Sequence, residues 1–296
     1  MKLKRIGKKR NSISLSALTL IVIFSIVFGC RYYIQQHSGH GLIVAFCGSA
    51  SKPALEECAE VFKEKTGIRV ELHFSGSGKM LSELLVSKKG DLYIPGSPDY
   101  MTRAIQKNVI YTETVKRIAY LVPAIIVQKG NPKGITCLVD LAKAGITVGI
   151  GDPEAVCVGG YAKEILEVNG LYDEVEPNIV VYAESCSKTA ALIPLGTVDA
   201  IMGWRVFHYW NPEKSDILFI EPKSDIPRIS YIPAAVSIYT QNRNGAEQFI
   251  DFLVSSAGQG IFRTYGYLAT EDEAREYAPT AVFPSLLRSL KKFRDA

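Results

Sequence analysis

The feature that most constrains this chain is a regular alternation of two hydrophobic periods that begins at Gly41. "GLIVAF", "IRVELHF" and "GDLYIPG" read as strands, and the stretches after them, "KPALEECAEVFKEKTG", "KMLSELLVSKK" and "PDYMTRAIQKN", read as helices. Successive βα units predict parallel-rich sheets with helices on both faces. "RIAYLVPAIIVQKGNP" breaks the rhythm with one long extended segment. A second series follows in "ITVGIGDP", "GGYAKEILEVNG", "NIVVYAES", "KTAALIPLG" and "VDAIMGW". "ISYIPAAVSIYT" is again extended, and "GAEQFIDFLVSSAGQGIFRTYG" reads as helical.

Two βα series joined by two extended segments predict a two-lobed α/β fold. Residues 41–122 form the first lobe, 123–231 the second, 232–280 return to the first, and 281–296 are a C-terminal tail. The crossings fall near Leu121–Ile126 and Ile232–Ile238. Ligands of open α/β sheets sit beyond the carboxyl ends of the strands, so facing lobes converge on one cleft. Closure around a ligand is then a hinge motion. No internal repeat or low-complexity tract interrupts the pattern.

The N-terminus is of another kind. "MKLKRIGKKR" is basic, "LSALTLIVIFSIVFG" apolar, and Cys30 follows Gly29, which together read as an export signal over residues 1–29. "VFGC" looks like a lipoprotein signal-peptidase site with lipid on Cys30; an uncleaved membrane anchor is the alternative. The apolar run, 15–28, is shorter than the roughly twenty residues that a spanning helix needs. Residues 30–40 would be a polar tether. Either reading places the remainder outside the cytoplasmic membrane. The signal carries six of the 34 basic residues and none of the 30 acidic ones, which leaves a net charge of −2 on the rest. That balance gives no support for binding nucleic acid.

The loop "FSGSGKM" resembles the end of a phosphate-binding P-loop, which requires G-x-x-x-x-G-K-[ST]. His73 stands where the first glycine belongs and Met80 where the hydroxyl belongs, so nucleotide binding is not expected. A small-residue loop between strand and helix still leaves free N–H groups at the positive end of a helix dipole. "CGSASKP", "GDPEAVCVGGY" and "AESCSKT" repeat that placement. Hydroxyls and amides without a counter-charge suit an oxyanion that is fully ionised at neutral pH. Read one at a time, such serines are as readily helix caps.

The stretch "FCGSASKPALEECAEVFKEKTGIRVELHFSGSGKMLSELLVSKKGDLYIPGS", with "GDPEAVCVGGYAKEIL" in the second series, resembles the periplasmic molybdate-binding proteins of ABC importers. The likeness covers about residues 42–275. It implies a type II periplasmic-binding-protein fold and a tetrahedral oxyanion ligand, molybdate or tungstate. It further implies permease and ATPase subunits as partners, a monomeric binding protein and no cofactor. Carried over by position, the donors are Ser49 (or Ala50 or Ser51), Ser77 with Gly78 beside it, the Val158 amide with Gly159 next to it, and Ser187 (or Cys186). Where that family commonly has a Tyr, this chain reads Gly203-Trp204-Arg205, so the Trp204 indole or the Arg205 guanidinium would substitute. An interlobe or surface ion pair is the plainer role for Arg205.

Five cysteines follow Cys30, and Cys47, Cys157 and Cys186 all fall in expected cleft loops. They read as a thiol-lined site for a soft metal ion or a sulfur oxyanion, or as small residues packed beneath helix starts. His37, His40, His73 and His208 share no spacing, and Asp152 is expected to hold its own turn. No catalytic constellation or metal-ligand set emerges. An enzyme using Cys47 on a phosphorylated substrate is the rival from another class.

Overall fold

The computed structural model describes residues 41–284. The expected signal (1–29), lipid site Cys30, tether (30–40) and the tail beyond residue 284 lie outside the described residues.

The first strand, β1 (Leu42–Gly48), is apolar on both faces and buried from Ala45 onward, so it takes a central place. It pairs in parallel with β2 (Arg69–Ser75) on one side and β3 (Leu92–Ile94) on the other. Helix α1 (Lys52–Thr66) joins the first two; Pro53 sits in its opening turn and Gly67, at φ 75°, ends it. Helices α2 (Ser77–Ser87) and α3 (Pro98–Gln106) follow β2 and β3. β4 (Lys116–Leu121) completes the first sheet at its far edge.

One residue, Val122, separates β4 from β5 (Pro123–Gln128), which belongs to the second sheet. That sheet continues with β6 (Val148–Gly151), α4 (Cys157–Val168), a short α5 (Tyr172–Val175), β7 (Ile179–Ala183), α6 (Cys186–Ala191) and β8 (Ala200–Trp204). A short α7 (Val206–Trp210) leads to its edge strand, β9 (Ser215–Leu218). The chain then returns through residues 219–229 to β10 (Ser230–Val236) in the first sheet.

The two sheets have matching plans, β2-β1-β3-β10-β4 and β7-β6-β8-β5-β9. In each, three parallel strands carry an antiparallel neighbour, β10 or β5, supplied by an extended segment. The sheets are therefore parallel-rich but mixed, because a strand entering from the other lobe runs against the βα units it joins.

Pro233 lies in β10, a fully buried interior strand, where a missing N–H would normally break the ladder. The pairing with β4 slips between Ile232 and Pro233, and that irregularity accommodates it. The C-terminal helical stretch is two helices, α8 (Arg243–Val254) and α9 (Ser256–Thr264), rather than the single one that its hydrophobic period suggests. Ser255 is extended between them, and its hydroxyl caps α9 by accepting from the Gly258 N–H. After α9 comes α10 (Glu271–Arg275), and Ala274, Ala278 and Ala281 pack into the core of the second sheet. The other buried cluster runs unbroken from Cys47 and Tyr93 to Cys157, Cys186 and Trp204, so the lobes share apolar contact across the cleft.

Candidate functional site

The parallel strands of each sheet end on the same side, and their loops meet. β1, β2 and β3 lead into Ser49–Ser51, Gly76–Ser77 and Gly96–Ser97. From the other lobe come the turn 152–156 and the starts of α4 and α6. Asp152 holds the turn, with its carboxylate accepting from the Glu154 N–H at 2.9 Å. The Ser187 N–H donates to the Ser49 hydroxyl oxygen at 3.0 Å, and the Tyr100 hydroxyl donates to the Glu154 carbonyl at 3.2 Å. The Gly78 N–H reaches the Ala155 carbonyl at 3.4 Å. Arg228, on the segment entering β10, donates to both Asp99 oxygens of α3 at 2.9 Å and also holds Glu164 of α4. The lobes are therefore closed on one another.

Ser77 is buried as the first residue of α2, and the N-cap is Gly76, which offers no side chain. The hydroxyl is thus not spent on capping. Its oxygen accepts from the Gly96 N–H at 3.0 Å, and the hydroxyl lies beside the Cys157 sulfur. The Tyr93 hydroxyl holds the Ser77 carbonyl at 2.9 Å. Two glycines make the approach possible. A Cβ on Gly48 would stand 2.6 Å from the Ser77 Oγ, and one on Gly96 would stand 2.7 Å from the Cys157 Sγ. Gly96 and Ser97 belong to a fifth cleft loop that the sequence reading passed over, although "PGSP" before a helix has the same composition as the other four.

Across from Ser77, α4 begins at Cys157 with Val156 as an uncapped N-cap. The Gly159 and Gly160 amides donate to the Val156 carbonyl at 3.0 and 3.3 Å, which leaves the Cys157 and Val158 amides as the unpartnered ones of the first turn among the described residues. Gly159 has a structural part. A Cβ there would lie 2.1 Å from the Gly151 carbonyl oxygen, so only glycine lets α4 press its first turn onto the end of β6. At the end of β8, Trp204 is fully buried, and its indole N–H has no acceptor among the described residues. Ser97 Oγ and Tyr161 Oη are likewise buried without partners among the described residues. Each such group costs stability until something accepts or donates to it.

Two expectations are corrected. Arg205 does not serve the cleft. Its guanidinium donates to the Gly266 carbonyl and, at 2.8 Å, to the Tyr209 hydroxyl, and it stacks on the rings of Tyr209 and Tyr277. It braces the end of β8 against the C-terminal segment instead. Cys47 lies within β1 opposite Ile94 and Phe74 rather than in a loop. Burial pushes its thiol far above the ordinary cysteine range, which removes it as a nucleophile. Cys157 and Cys186 do come together, with their sulfurs 3.5 Å apart. The contact with Cys186 and burial both raise the Cys157 thiol, outweighing the nearby Ser77 hydroxyl and Trp204 indole, so it stays neutral. Among the described residues no group of three His, Cys, Asp or Glu side chains could hold a metal ion.

The cleft is thus lined by hydroxyls, amides, an indole and the touching sulfurs of Cys157 and Cys186, at the meeting of two lobes. The sequence profile of the bacterial extracellular solute-binding proteins matches residues 43–268. This chain belongs to that family. The Escherichia coli molybdate-binding protein ModA is 27% identical over 241 residues, covering 77% of this chain and 89% of that protein. A putative ABC transporter substrate-binding lipoprotein of Bacillus subtilis, YvgL, is 23% identical over 264 residues, covering 88% and 99%. Among solved structures, the sulfate-binding protein SubI of Mycobacterium tuberculosis shares the fold with a TM-score of 0.70 at 16% identity, covering 83% of this chain and 93% of that one. This solute-binding protein has the type II periplasmic-binding-protein fold and is a binding protein rather than an enzyme.

Proposed function

We propose that this solute-binding protein captures a tetrahedral dianion, molybdate or tungstate, outside the cytoplasmic membrane and hands it to an ABC permease. The observation that carries this reading is the meeting of uncharged donors from both lobes, the Ser49 and Ser77 hydroxyls, the Val158 amide and the Trp204 indole, with the Ser187 amide holding Ser49 in place and Arg205 committed elsewhere. Donors without an acceptor disfavour an anion that carries its own proton, as phosphate does near neutral pH. Sulfate has the same charge as molybdate, so size must separate them. The ModA relative supports the larger anion, while the fold shared with a sulfate-binding protein leaves sulfate as the competitor to test.

Titration calorimetry on the protein should show molybdate and tungstate binding at least about tenfold more tightly than sulfate, a difference of about 1.4 kcal/mol. Phosphate should bind more weakly still. Sulfate binding equal to or tighter than molybdate would make this a sulfate carrier. We also propose that Cys30 bears the lipid anchor, because it follows a basic region, an apolar run and Gly29. Labelled fatty acid should enter the wild-type chain and not Cys30→Ser; equal labelling of both removes the lipid site.

A further inference from the structure

Cys157 and Cys186 are buried nucleophilic groups that the oxyanion reading leaves unused. They are the first residues of α4 and α6, both on the second sheet, and their sulfurs touch at 3.5 Å. A disulfide needs about 2.05 Å between its sulfurs, so the contact is about 1.5 Å from bonding distance. The neighbours argue against a cation. No third His, Cys, Asp or Glu joins the pair among the described residues, whereas a structural zinc takes four ligands. A route to the pair exists: a groove of about 200 Å³ opens at the lobe seam, bordered by Tyr100, Arg103, Tyr161 and Arg228, with Cys157 in its lining. The family is extracellular, and disulfides form and persist in such compartments.

We propose that Cys157 and Cys186 are a redox pair set into the ligand cleft, that they close to a disulfide in the exported protein, and that this closure is linked to oxyanion capture. The pairing stands by itself; the linkage rests on the oxyanion reading. The oxidant is a disulfide-bearing molecule, a thiol oxidase or glutathione disulfide. With the lobes apart, where the burial that keeps it neutral is relieved, Cys157 gives up its proton to solvent, and its thiolate attacks one sulfur of that disulfide while the other leaves as a thiolate. Deprotonated Cys186 then attacks the Cys157 sulfur of the mixed disulfide and expels the second oxidant sulfur. Two electrons and two protons pass to the oxidant, which ends as two thiols.

The linkage follows from where the Cys157 sulfur sits. In the dithiol it occupies the space beside Gly96 of the opposite lobe, 2.7 Å from where a Cβ would stand. Drawing it toward Cys186 withdraws it from Gly96 and the Ser77 hydroxyl and fastens together the starts of two helices whose amides face the cleft. Both changes favour the anion. Reciprocity then requires that an anion preferring the disulfide form make that disulfide harder to reduce by the same factor.

The test has two arms. The full chain, purified without reductant, is quenched in acid, alkylated under denaturing conditions, digested and weighed. Cys157 and Cys186 should appear in one linked peptide pair, and Cys47, Cys58 and Cys137 should be alkylated. Alkylation of both Cys157 and Cys186, or a bond to any other cysteine, overturns the pairing. In the second arm the pair is titrated in glutathione redox buffers with and without saturating sodium molybdate. About tenfold coupling lowers the midpoint by about 30 mV for a two-electron couple, and coincident midpoints in protein that binds molybdate overturn the linkage. If molybdate binds in neither redox state while the linked peptides are present, the proposed ligand falls and the pair stands.

Discussion

Replacing Ser77 with alanine should weaken molybdate binding by about one to two powers of ten, the equivalent of one hydrogen bond to a charged group at roughly 1.5–3 kcal/mol. The hydroxyl is buried, it is not used as a helix cap, and its oxygen holds the Gly96 N–H at 3.0 Å. Lys79, two residues on, is exposed on the same helix. Lys79→Ala should therefore cost less than about tenfold, as a solvent-screened charge would. Calorimetry on the two variants checks the order. Loss of binding in Lys79→Ala with Ser77→Ala intact would make the lysine the ligand, and the loop would then act much as the P-loop it superficially resembles.

Gly159→Ala should destabilise the protein by about 1–3 kcal/mol or more, because the added carbon meets backbone rather than a movable side chain. Its Cβ would lie 2.1 Å from the Gly151 oxygen and 2.5 Å from the Gly151 carbonyl carbon. The next residue is the control. A Cβ on Gly160 would meet nothing closer than the Pro153 carbonyl at 3.6 Å, and alanine is the better helix former by up to about 1 kcal/mol. Denaturant midpoints should fall for Gly159→Ala and hold or rise for Gly160→Ala. Equal midpoints would show that α4 does not depend on that close approach to β6. A fall would give Gly159 a packing role at the start of α4, next to Val158.

The strands and their helices were legible because period-2 and period-3.6 patterns are local, and β1, β2, β6 and β7 carry them without interruption. The loops holding Ser49, Ser77, Val158 and Ser187 were legible for the same reason, since each sits between a strand pattern and a helix pattern. What was hidden depends on distance along the chain. Arg205 finds its acceptor at Gly266, 61 residues away, and nothing near "GWRV" announces it. Cys157 and Cys186 are 29 residues apart and meet only because β6 and β7 are neighbours. Arg228 joins Asp99, 129 residues away, to Glu164. The Cys47 error was one of register: β1 runs on to Gly48, so the thiol falls inside the strand. The break at Ser255 escaped because apolar spacing continues across it, while the cap that makes the break uses only a hydroxyl and the Gly258 N–H.

The chain passes between the sheets at Val122, again through residues 219–229, and once more after α9, where Ala274, Ala278 and Ala281 reach the core of the second sheet. Two bodies joined by one strand of chain can swivel, tilt and twist. Joined at several places along one seam, they keep that seam as an axis, much as a door keeps its pins, and the angle about it becomes the main freedom left. A guest in the cleft can then be expressed at the outer surface only as that angle. A molecule docking on both lobes would measure one number, how far the door has shut, and an anion that fits poorly would be noticed as a door left ajar.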